Sequence, residues 1–154
     1  MAEDSPHTSE TDTVAPPAES TGAESKSQPV VLIVDDDRDA RNFYAHYLTQ
    51  MGCRVVTAYD GLKAIATAAQ CQPDVIVMDL LMPRLDGWEA TARLKRSSST
   101  QHIPVIVVSG VQTSRDRARA AGCDGFLAKP CSAELLWWEV RVLLEASAGI
   151  HSAA

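Results

Sequence analysis

Four short apolar runs of this chain each end at a residue that can bind or transfer a charged group. In chain order, the residues that follow these runs are Asp35 with Asp36, Asp79, Ser109 and Lys129. In an open parallel sheet, the carboxyl ends of the strands lie along one edge, and ligands bind there. We therefore expect acidic, hydroxyl and amine groups that are far apart in sequence to converge on one place. A metal-assisted phosphoryl-transfer site needs that combination of groups.

Strand-like and helix-like patterns alternate five times from Pro29 onward. The predicted strands cover residues 30–34, 54–58, 75–78, 105–108 and 125–128. The predicted helices cover residues 37–51, 61–70, 88–96, 114–121 and 132–146, the last with Ser132 as its N-cap. The alternation and the almost uninterrupted apolar strands favour right-handed crossovers and a parallel sheet that is covered on both faces. The prediction is therefore a doubly wound α/β domain.

The first 28 residues differ in composition from the rest. Residues 1–27 contain six acidic residues and one lysine, a net charge of −5, whereas the remainder contains 14 acidic and 13 basic residues. Residues 1–28 contain one Val and no Ile, Leu, Phe, Tyr or Trp, so they bury too little apolar surface to offset the entropy of ordering. We predict a disordered acidic tail over 1–28, a folded domain over 29–146 and a short C-terminal tail over 147–154. Both a docking role and a solubilising role stay open for the acidic tail.

Charge, hydropathy and cysteine content argue against several protein classes. The folded part is nearly neutral and lacks the usual basic surface of nucleic-acid-binding domains; the cluster of Arg115, Arg117 and Arg119 is expected on a solvated helix face. The sequence has no signal peptide and no apolar run near the roughly 20 residues of a membrane span, which argues against membrane insertion. The four cysteines have no CxxC spacing, so we expect free thiols and a cytoplasmic protein.

Three consecutive carboxylates, Asp35 to Asp37, follow the first predicted strand. For Asp37 and Asp39 we favour a role in starting the helix, since the helix macrodipole attracts negative charge at its N-terminus. For Asp35 and Asp36 we favour metal binding together with Asp79. Three carboxylates with water form a hard oxygen site of the kind that Mg²⁺, or Mn²⁺, prefers.

Asp79 is the candidate nucleophile of this site. Beside a bound metal, its carboxylate can attack a phosphoryl group and form an acyl phosphate, because the cation offsets the repulsion between two anions. Ser109 can donate to a phosphoryl oxygen, and the Lys129 ammonium can neutralise the incoming charge. Each residue alone is a weak signal. The hypothesis depends on all four elements occurring in this order, each after its own strand.

All of these residues lie in four motifs: VLIVDDD (31–37), VIVMDLLMPRLDG (75–87), VIVVSG (105–110) and FLAKP (126–130). With them the sequence resembles the receiver domains of response regulators in two-component signal transduction, over about residues 29–146. The resemblance implies a flavodoxin-like (βα)5 fold, with a five-stranded parallel sheet in the strand order 2-1-3-4-5. It also implies a signalling module whose only chemistry is its own phosphorylation and dephosphorylation, rather than an enzyme.

The resemblance further assigns roles in the acidic cluster. It implies that Asp79 is the phosphoacceptor, that Asp36 binds Mg²⁺ directly and that Asp35 binds it largely through water. The backbone carbonyl of Leu81 would complete the metal shell. The donor implied by the family is a phosphohistidine on a sensor histidine kinase or on a histidine phosphotransfer protein.

The same resemblance implies a two-state switch. Ser109 and Lys129 would contact the phosphoryl group, and Phe126 would turn inward when Ser109 moves toward the phosphate. The face formed by the fourth helix, the fifth strand and the fifth helix would then change shape and act on a downstream protein target. A homodimer through that face stays open.

Two departures from the family pattern affect this interpretation. Position 131 is Cys where an aromatic residue usually follows Lys-Pro, so the local packing is expected to differ. Leu81 and Val111 occupy the positions that commonly tune hydrolysis, and both are apolar. We therefore predict slow autodephosphorylation, and a half-life of seconds for the purified phosphoprotein would contradict that prediction.

The last predicted helix carries a core face and a second apolar pair outside it. Leu136 and Leu143 lie on the core face, whereas Trp138 and Val142 fall roughly opposite and are expected to be exposed. Because Trp is enriched at interaction surfaces, we favour a partner or dimer contact there over an incidental surface position.

Three hypotheses follow for the function. The leading one is a stand-alone receiver, expected because the chain ends within about ten residues of the last predicted helix, so that output passes through protein contacts or onward phosphotransfer. A second is an aspartate-nucleophile phosphohydrolase, which the position of Asp79 after the third strand argues against. A third is a receiver-like interaction domain that is never phosphorylated, which the presence of all five site residues argues against.

Overall fold

The computed structural model describes residues 27–110 and 115–152, with the backbone alone for 150–152. Most of the predicted acidic tail, Val111 and the predicted helix start at Ser114 lie outside the described residues. The elements, in chain order, are β1 (Val30–Val34), α1 (Arg38–Gln50), β2 (Arg54–Ala58), α2 (Gly61–Cys71), β3 (Val75–Asp79), α3 (Gly87–Arg96), β4 (Val105–Ser109), α4 (Arg115–Ala120), β5 (Gly125–Ala128) and α5 (Ala133–Ser152). The alternation of strands and helices follows the prediction.

The five strands form one parallel sheet in the order β2-β1-β3-β4-β5. Its register aligns the carboxyl ends of the strands: Val34 lies opposite Ala58 and Met78, and Ser109 lies opposite Ala128. The predicted flavodoxin-like α/β fold and its strand order are confirmed. For the site, the consequence is that the residues just after β1 and β5 and the last residues of β3 and β4 share one edge of the sheet.

Two apolar layers hold the helices against the sheet. On one face, Leu32 of β1 belongs to a cluster with α2 and α3, which contribute residues such as Leu94. On the other face, Ile33 belongs to a cluster with α1 and α5, which contribute residues such as Leu48 and Leu136. Adjacent strand residues point to opposite faces, so a strand covered on both sides must be apolar throughout. This explains why β3 and β4 are buried along their whole length.

Side-chain caps fix where several of the helices begin. The Asp37 carboxylate accepts from two backbone N–H groups of the first turn of α1, which confirms the predicted role of Asp37 at the helix start. Asp86 caps α3 in a similar way. The hydroxyl of Ser132 accepts from the N–H of Leu135, so the predicted N-cap of α5 is also confirmed. Each of these caps lies at the carboxyl edge of the sheet and therefore helps to fix the loops around the site.

The last helix is longer than predicted. α5 continues to Ser152, so most of the predicted C-terminal tail over 147–154 is helical. No proline interrupts this stretch, and its one glycine, Gly149, costs a helix only about 1 kcal/mol relative to alanine. Even at 20 residues, α5 is not apolar enough to cross a membrane, and neither is any other helix of the described residues.

Candidate functional site

Three carboxylates converge at the carboxyl edge of the sheet. Asp35 and Asp36 follow β1, and Asp79 is the last residue of β3. One carboxylate oxygen from each of the three lies within 4.8 Å of the other two. Asp35 and Asp79 are buried and Asp36 is exposed, so the cluster is open to solvent on the side of Asp36. Such a set of hard oxygen donors suits a divalent cation such as Mg²⁺.

Lys129 lies beside the two buried carboxylates. Its Nζ is 3.2 Å from Asp35 Oδ2 and 3.6 Å from Asp79 Oδ1. The residue follows β5 directly, and its backbone N–H donates to the carbonyl of Ser109 at the end of β4. Burial lowers the pKa of Lys129, but attraction to the two carboxylates outweighs burial and raises the pKa above its ordinary value. The ammonium therefore stays charged at the centre of the site.

The negative charge of the cluster exceeds what this one ammonium balances. Burial, and then repulsion from Asp35, raise the pKa of Asp79 from 3.8 to about 6, while Lys129 and the N–H of Leu80 lower it. The Leu80 N–H donates to Asp79 Oδ1 at 2.8 Å. Three carboxylates against one ammonium leave an excess of negative charge, and the donor set therefore fits a bound divalent cation.

The raised pKa of Asp79 predicts how the stability of the metal-free protein depends on pH. The folded state holds this proton more tightly than the unfolded chain, so stability falls as the pH rises from 3.8 to about 6. Asp79→Asn removes the buried charge. It is expected to raise the free energy of unfolding by about 2–3 kcal/mol near pH 7.5 and by less than about 1 kcal/mol near pH 4. Urea unfolding of both proteins in EDTA measures this difference, and a pH-independent difference would contradict the assigned pKa shift.

Comparison with known sequences agrees with this geometry. Residues 31–141 match the sequence model of the response regulator receiver domain. The chain belongs to the response regulator receiver domain family. This receiver domain is 39% identical over 113 residues to the protein PilG of Pseudomonas aeruginosa, an alignment that covers 72% of the chain and 84% of PilG.

Other relatives are longer than the chain. The DNA-binding transcriptional regulator RpaA of Synechocystis is 36% identical over 128 residues, which cover 82% of the receiver chain and 53% of RpaA. The receiver domain thus spans about half the length of several curated relatives, among them the mycobacterial response regulators MprA.

Among solved structures, the chemotaxis protein CheY4 of Vibrio cholerae is 30% identical with a TM-score of 0.72, covering 77% of this chain and 100% of CheY4. The receiver domain of the Francisella response regulator 1452 is also 30% identical, with a TM-score of 0.73, covering 78% and 99%.

In the receiver domain, the two predicted switch residues lie on neighbouring strands. Ser109 is buried at the end of β4, opposite Ala128 of β5. Phe126 on β5 is half-buried and packs against the apolar layer under α2 and α3. The guanidinium of Arg115 on α4 lies 5.4 Å from the centroid of the Phe126 ring. Phe126 therefore contacts both the interior and the adjacent helix α4.

The arginines of α4 are exposed, as predicted, but two of them also contact aromatic rings. The guanidinium of Arg117 lies 4.7 Å from the centroid of Trp88 at the start of α3, and Arg115 lies over Phe126. Cation–π contacts at exposed sites contribute roughly 0.5–1 kcal/mol each. These contacts link the short helix α4 to α3 and to β5. The prediction that the arginines lie on a solvated helix face did not include this linking role.

Gly87 is a supporting residue that the sequence did not identify. It is the first residue of α3 and lies so close to β3 that a β-carbon there would overlap the carbonyl oxygen of Asp79. The same β-carbon would approach the Cα of Leu80 at 2.8 Å. The sequence predicts Asp86-Gly87 only as a loop, because the contact joins segments whose approach the sequence does not reveal.

Cys131, at the position where an aromatic residue was expected from the family pattern, packs beside Tyr44 of α1. Tyr44 of α1 and Cys131 are both buried in the same apolar layer. The Tyr44 hydroxyl donates to the carbonyl of Cys131 at 2.8 Å. In the sequence, Tyr44 is only one of several apolar residues at helical spacing in the first helix. Phe43 shares that spacing but is 58% exposed, so the spacing alone does not identify Tyr44 as the buried contact.

The remaining predicted residues lie on the surface of the receiver domain. Leu81 is 63% exposed, close to Asp79 in the chain, and the role of its backbone carbonyl stays a prediction. Trp138 and Val142 are 59% and 45% exposed, so their predicted exposure is confirmed. Leu135, one turn before Trp138, extends this exposed apolar stripe of α5.

Proposed function

We propose that the chain is the phosphoacceptor module of a two-component phosphorelay and that Asp79 is the residue phosphorylated. The observation that carries the proposal is the buried Asp79 carboxylate, with the Lys129 ammonium 3.6 Å from Oδ1 and two further carboxylates within metal-binding reach. A carboxylate held in this way is oriented for attack. The adjacent ammonium offsets the negative charge that a phosphoryl group brings to an acidic site.

The proposed donor is a phosphohistidine of a sensor histidine kinase or of a histidine phosphotransfer protein. A bond forms between a carboxylate oxygen of Asp79 and phosphorus, while the phosphorus–nitrogen bond of the donor breaks. The electron pair of the broken bond stays with the imidazole, which takes up a proton and leaves as neutral histidine. Lys129 and Ser109 then contact the phosphoryl oxygens of the acyl phosphate.

Asp35, Asp36 and Asp79, with the backbone carbonyl of Leu81, are the proposed ligands of Mg²⁺ or Mn²⁺. The close approach of the three carboxylates and the raised pKa of Asp79 support this set, because an excess of negative charge favours a divalent cation. When bound, the cation reduces the repulsion between the phosphoryl oxygens and the carboxylates.

We further propose that phosphorylation switches the face formed by α4, β5 and α5. The contact between Phe126 and Arg115 supports coupling between β5 and α4. A phosphoryl group adds charge and acceptor oxygens, which draw the Ser109 hydroxyl toward the site and let Phe126 turn inward. Phosphorylation shifts the population between two arrangements to the extent that it stabilises one of them more than the other.

The proposed output is contact with a downstream protein target, onward phosphotransfer, or a homodimer through the same face. The exposed Trp138 and Val142 support a protein contact there. If Trp138→Ala left both the oligomeric state and the affinity for partners unchanged, Trp138 would not belong to the interface. Nucleic-acid binding is not part of the proposal, since the folded part carries no excess of basic residues.

Two further parts of the proposal concern lifetime and location. The slow autodephosphorylation expected from Leu81 and Val111 stays a prediction, since Val111 lies outside the described residues. The proposed location is the cytoplasm, which the four free cysteines of the described residues support, because thiols persist in a reducing compartment.

Two rival functions have less support. A phosphohydrolase with an aspartate nucleophile would carry that residue after its first strand, whereas Asp79 ends β3. Rapid turnover of a small phosphate ester by the purified protein would favour this alternative.

A receiver-like domain that is never phosphorylated would not need Asp35, Asp79 and Lys129 in one ion-paired cluster. Failure to bind beryllofluoride in the presence of Mg²⁺ would favour that reading.

Phosphotransfer profiling tests the proposal. Histidine kinases from the same organism are phosphorylated, purified and mixed with the full chain in Mg²⁺ or in EDTA. We expect rapid loss of label from a cognate kinase, with label appearing on the chain only in Mg²⁺. Equal labelling in EDTA would contradict the metal requirement, and no labelling by any kinase or phosphotransfer protein would contradict the proposed donor.

A further inference from the structure

The hydroxyl of Tyr44 links helix α1 to the connection that carries Lys129. It donates a hydrogen bond of 2.8 Å to the backbone carbonyl of Cys131. Tyr44 is 8% exposed, and its ring packs in the apolar layer between the sheet, α1 and α5. Burial raises the pKa of Tyr44 above its ordinary value of 10.0, so the hydroxyl stays protonated and keeps its role as donor.

The connection that this bond holds is short. Residues 129–132 join β5 to α5, and Lys129 is the first of them. The backbone N–H of Lys129 is fixed by its bond to the Ser109 carbonyl at 2.9 Å. Tyr44 fixes the carbonyl of Cys131, two residues further on. One hydrogen bond at the backbone of Lys129 itself and one at Cys131 therefore limit the directions in which the Lys129 side chain can leave the connection.

A second side chain of α1 makes a matching contact on the acidic side of the site. Arg41, one turn before Tyr44, donates from Nη1 to the backbone carbonyl of Asp35 at 2.8 Å. The side chains of Asp35 and Lys129 meet in an ion pair of 3.2 Å. One helix thus holds the backbone of both segments that supply this ion pair.

We propose that Tyr44 is a positioning residue for phosphoryl transfer, whose hydroxyl fixes the connection between β5 and α5 so that the Lys129 ammonium stays beside Asp35 and Asp79. The proposal rests on the proposed phosphoacceptor function of Asp79. Without the hydroxyl, the buried Cys131 carbonyl loses its donor and the connection gains freedom. The ammonium is then held less often where it offsets charge in the transition state.

The test measures the labelling of the full chain by acetyl phosphate in Mg²⁺, a small donor that needs no partner surface. Tyr44→Phe keeps the ring and is expected to lower the maximal labelling rate roughly 10-fold, with the half-saturating concentrations of Mg²⁺ and donor unchanged. Tyr47→Phe is the matched control. It removes a hydroxyl one turn further along α1 that has no hydrogen-bond partner among the described residues, and it should label at the wild-type rate. Near-ultraviolet circular dichroism gives the folded fraction by which each rate is normalised.

A double-mutant cycle with Lys129→Met separates positioning from a general loosening of the structure. If Tyr44 acts through Lys129, Tyr44→Phe has little further effect once the ammonium is gone. An equal fall in both backgrounds, or a normalised Tyr44→Phe rate equal to the wild-type rate, overturns the role of Tyr44 while leaving the phosphoacceptor intact. A wild-type chain that neither acetyl phosphate nor a phosphorylated kinase labels overturns the phosphoacceptor function, and the role of Tyr44 with it.

Discussion

Asp79→Asn is expected to abolish phosphoryl transfer to the chain, lowering the labelling rate by roughly 1,000-fold or more. The neutral amide has no anionic oxygen to attack phosphorus and cannot form an acyl phosphate. The substitution keeps the size of the side chain. It removes a buried carboxyl group whose pKa is raised to about 6. The variant should therefore be at least as stable as the wild type at neutral pH, so lost labelling cannot be attributed to unfolding.

Asp37→Asn is the matched control for this prediction. Asp37 stands two residues after Asp35, but it is exposed and caps α1, and Asn is an equally good N-cap. The same chemical change at this position should leave labelling by acetyl phosphate or by a kinase close to the wild-type rate. Labelling of Asp79→Asn above about a tenth of the wild-type rate would mean that another residue accepts the phosphoryl group.

Gly87→Ala is expected to have the largest effect of any single methyl group added near the site. The new β-carbon would overlap the carbonyl oxygen of Asp79 and lie 2.8 Å from the Cα of Leu80. Both are backbone atoms, so the clash cannot be relieved by a side-chain rotation. Either α3 or the end of β3 must move, at an expected cost of about 3 kcal/mol in the free energy of unfolding, the upper end of the usual range for overpacking. Because Asp79 moves with that strand end, labelling should also fall by at least about 10-fold in the protein that remains folded.

Gly149→Ala provides the comparison for this substitution. Gly149 is an exposed residue of α5, and an added β-carbon would meet no described atom within 4 Å. Alanine there should stabilise the helix by about 0.5–1 kcal/mol and leave labelling unchanged. Denaturant unfolding measures both stabilities. If Gly87→Ala matched the wild type in stability and in labelling, the close approach of α3 to Asp79 would be wrong.

The fold and the convergent residues could be predicted because they depend on local patterns. The inner strands had to be largely apolar, since helices cover both faces of the sheet. The residues at the carboxyl ends of β1, β3 and β5 had to meet because parallel strands align these ends. The resemblance added what alternation alone does not give, namely the strand order, which the structure confirms. It also assigned separate roles to Asp35, Asp36 and Asp79 within one acidic cluster, and these roles stay predictions.

The supporting contacts could not be predicted because they join segments by their three-dimensional approach. Gly87 looks like a turn residue until α3 is seen against the carbonyl of Asp79. Tyr44 looks like a core aromatic until its hydroxyl is seen at the carbonyl of Cys131. Neither contact can be recognised from the periodicity or the composition of the sequence. The sequence therefore predicted which side chains converge at the carboxyl edge of the sheet better than it predicted which groups hold them in place.

Chemical trapping of the phosphorylated residue tests the central claim most directly. The full chain is phosphorylated in Mg²⁺, denatured and reduced with borohydride, which converts an aspartyl phosphate to homoserine, and the peptides are then sequenced by mass spectrometry. We predict homoserine at position 79 of the wild-type chain and none in unphosphorylated protein or in Asp79→Asn. Homoserine at another aspartate, or stable label on a residue that borohydride does not convert, would contradict the assignment of Asp79 as the phosphoacceptor.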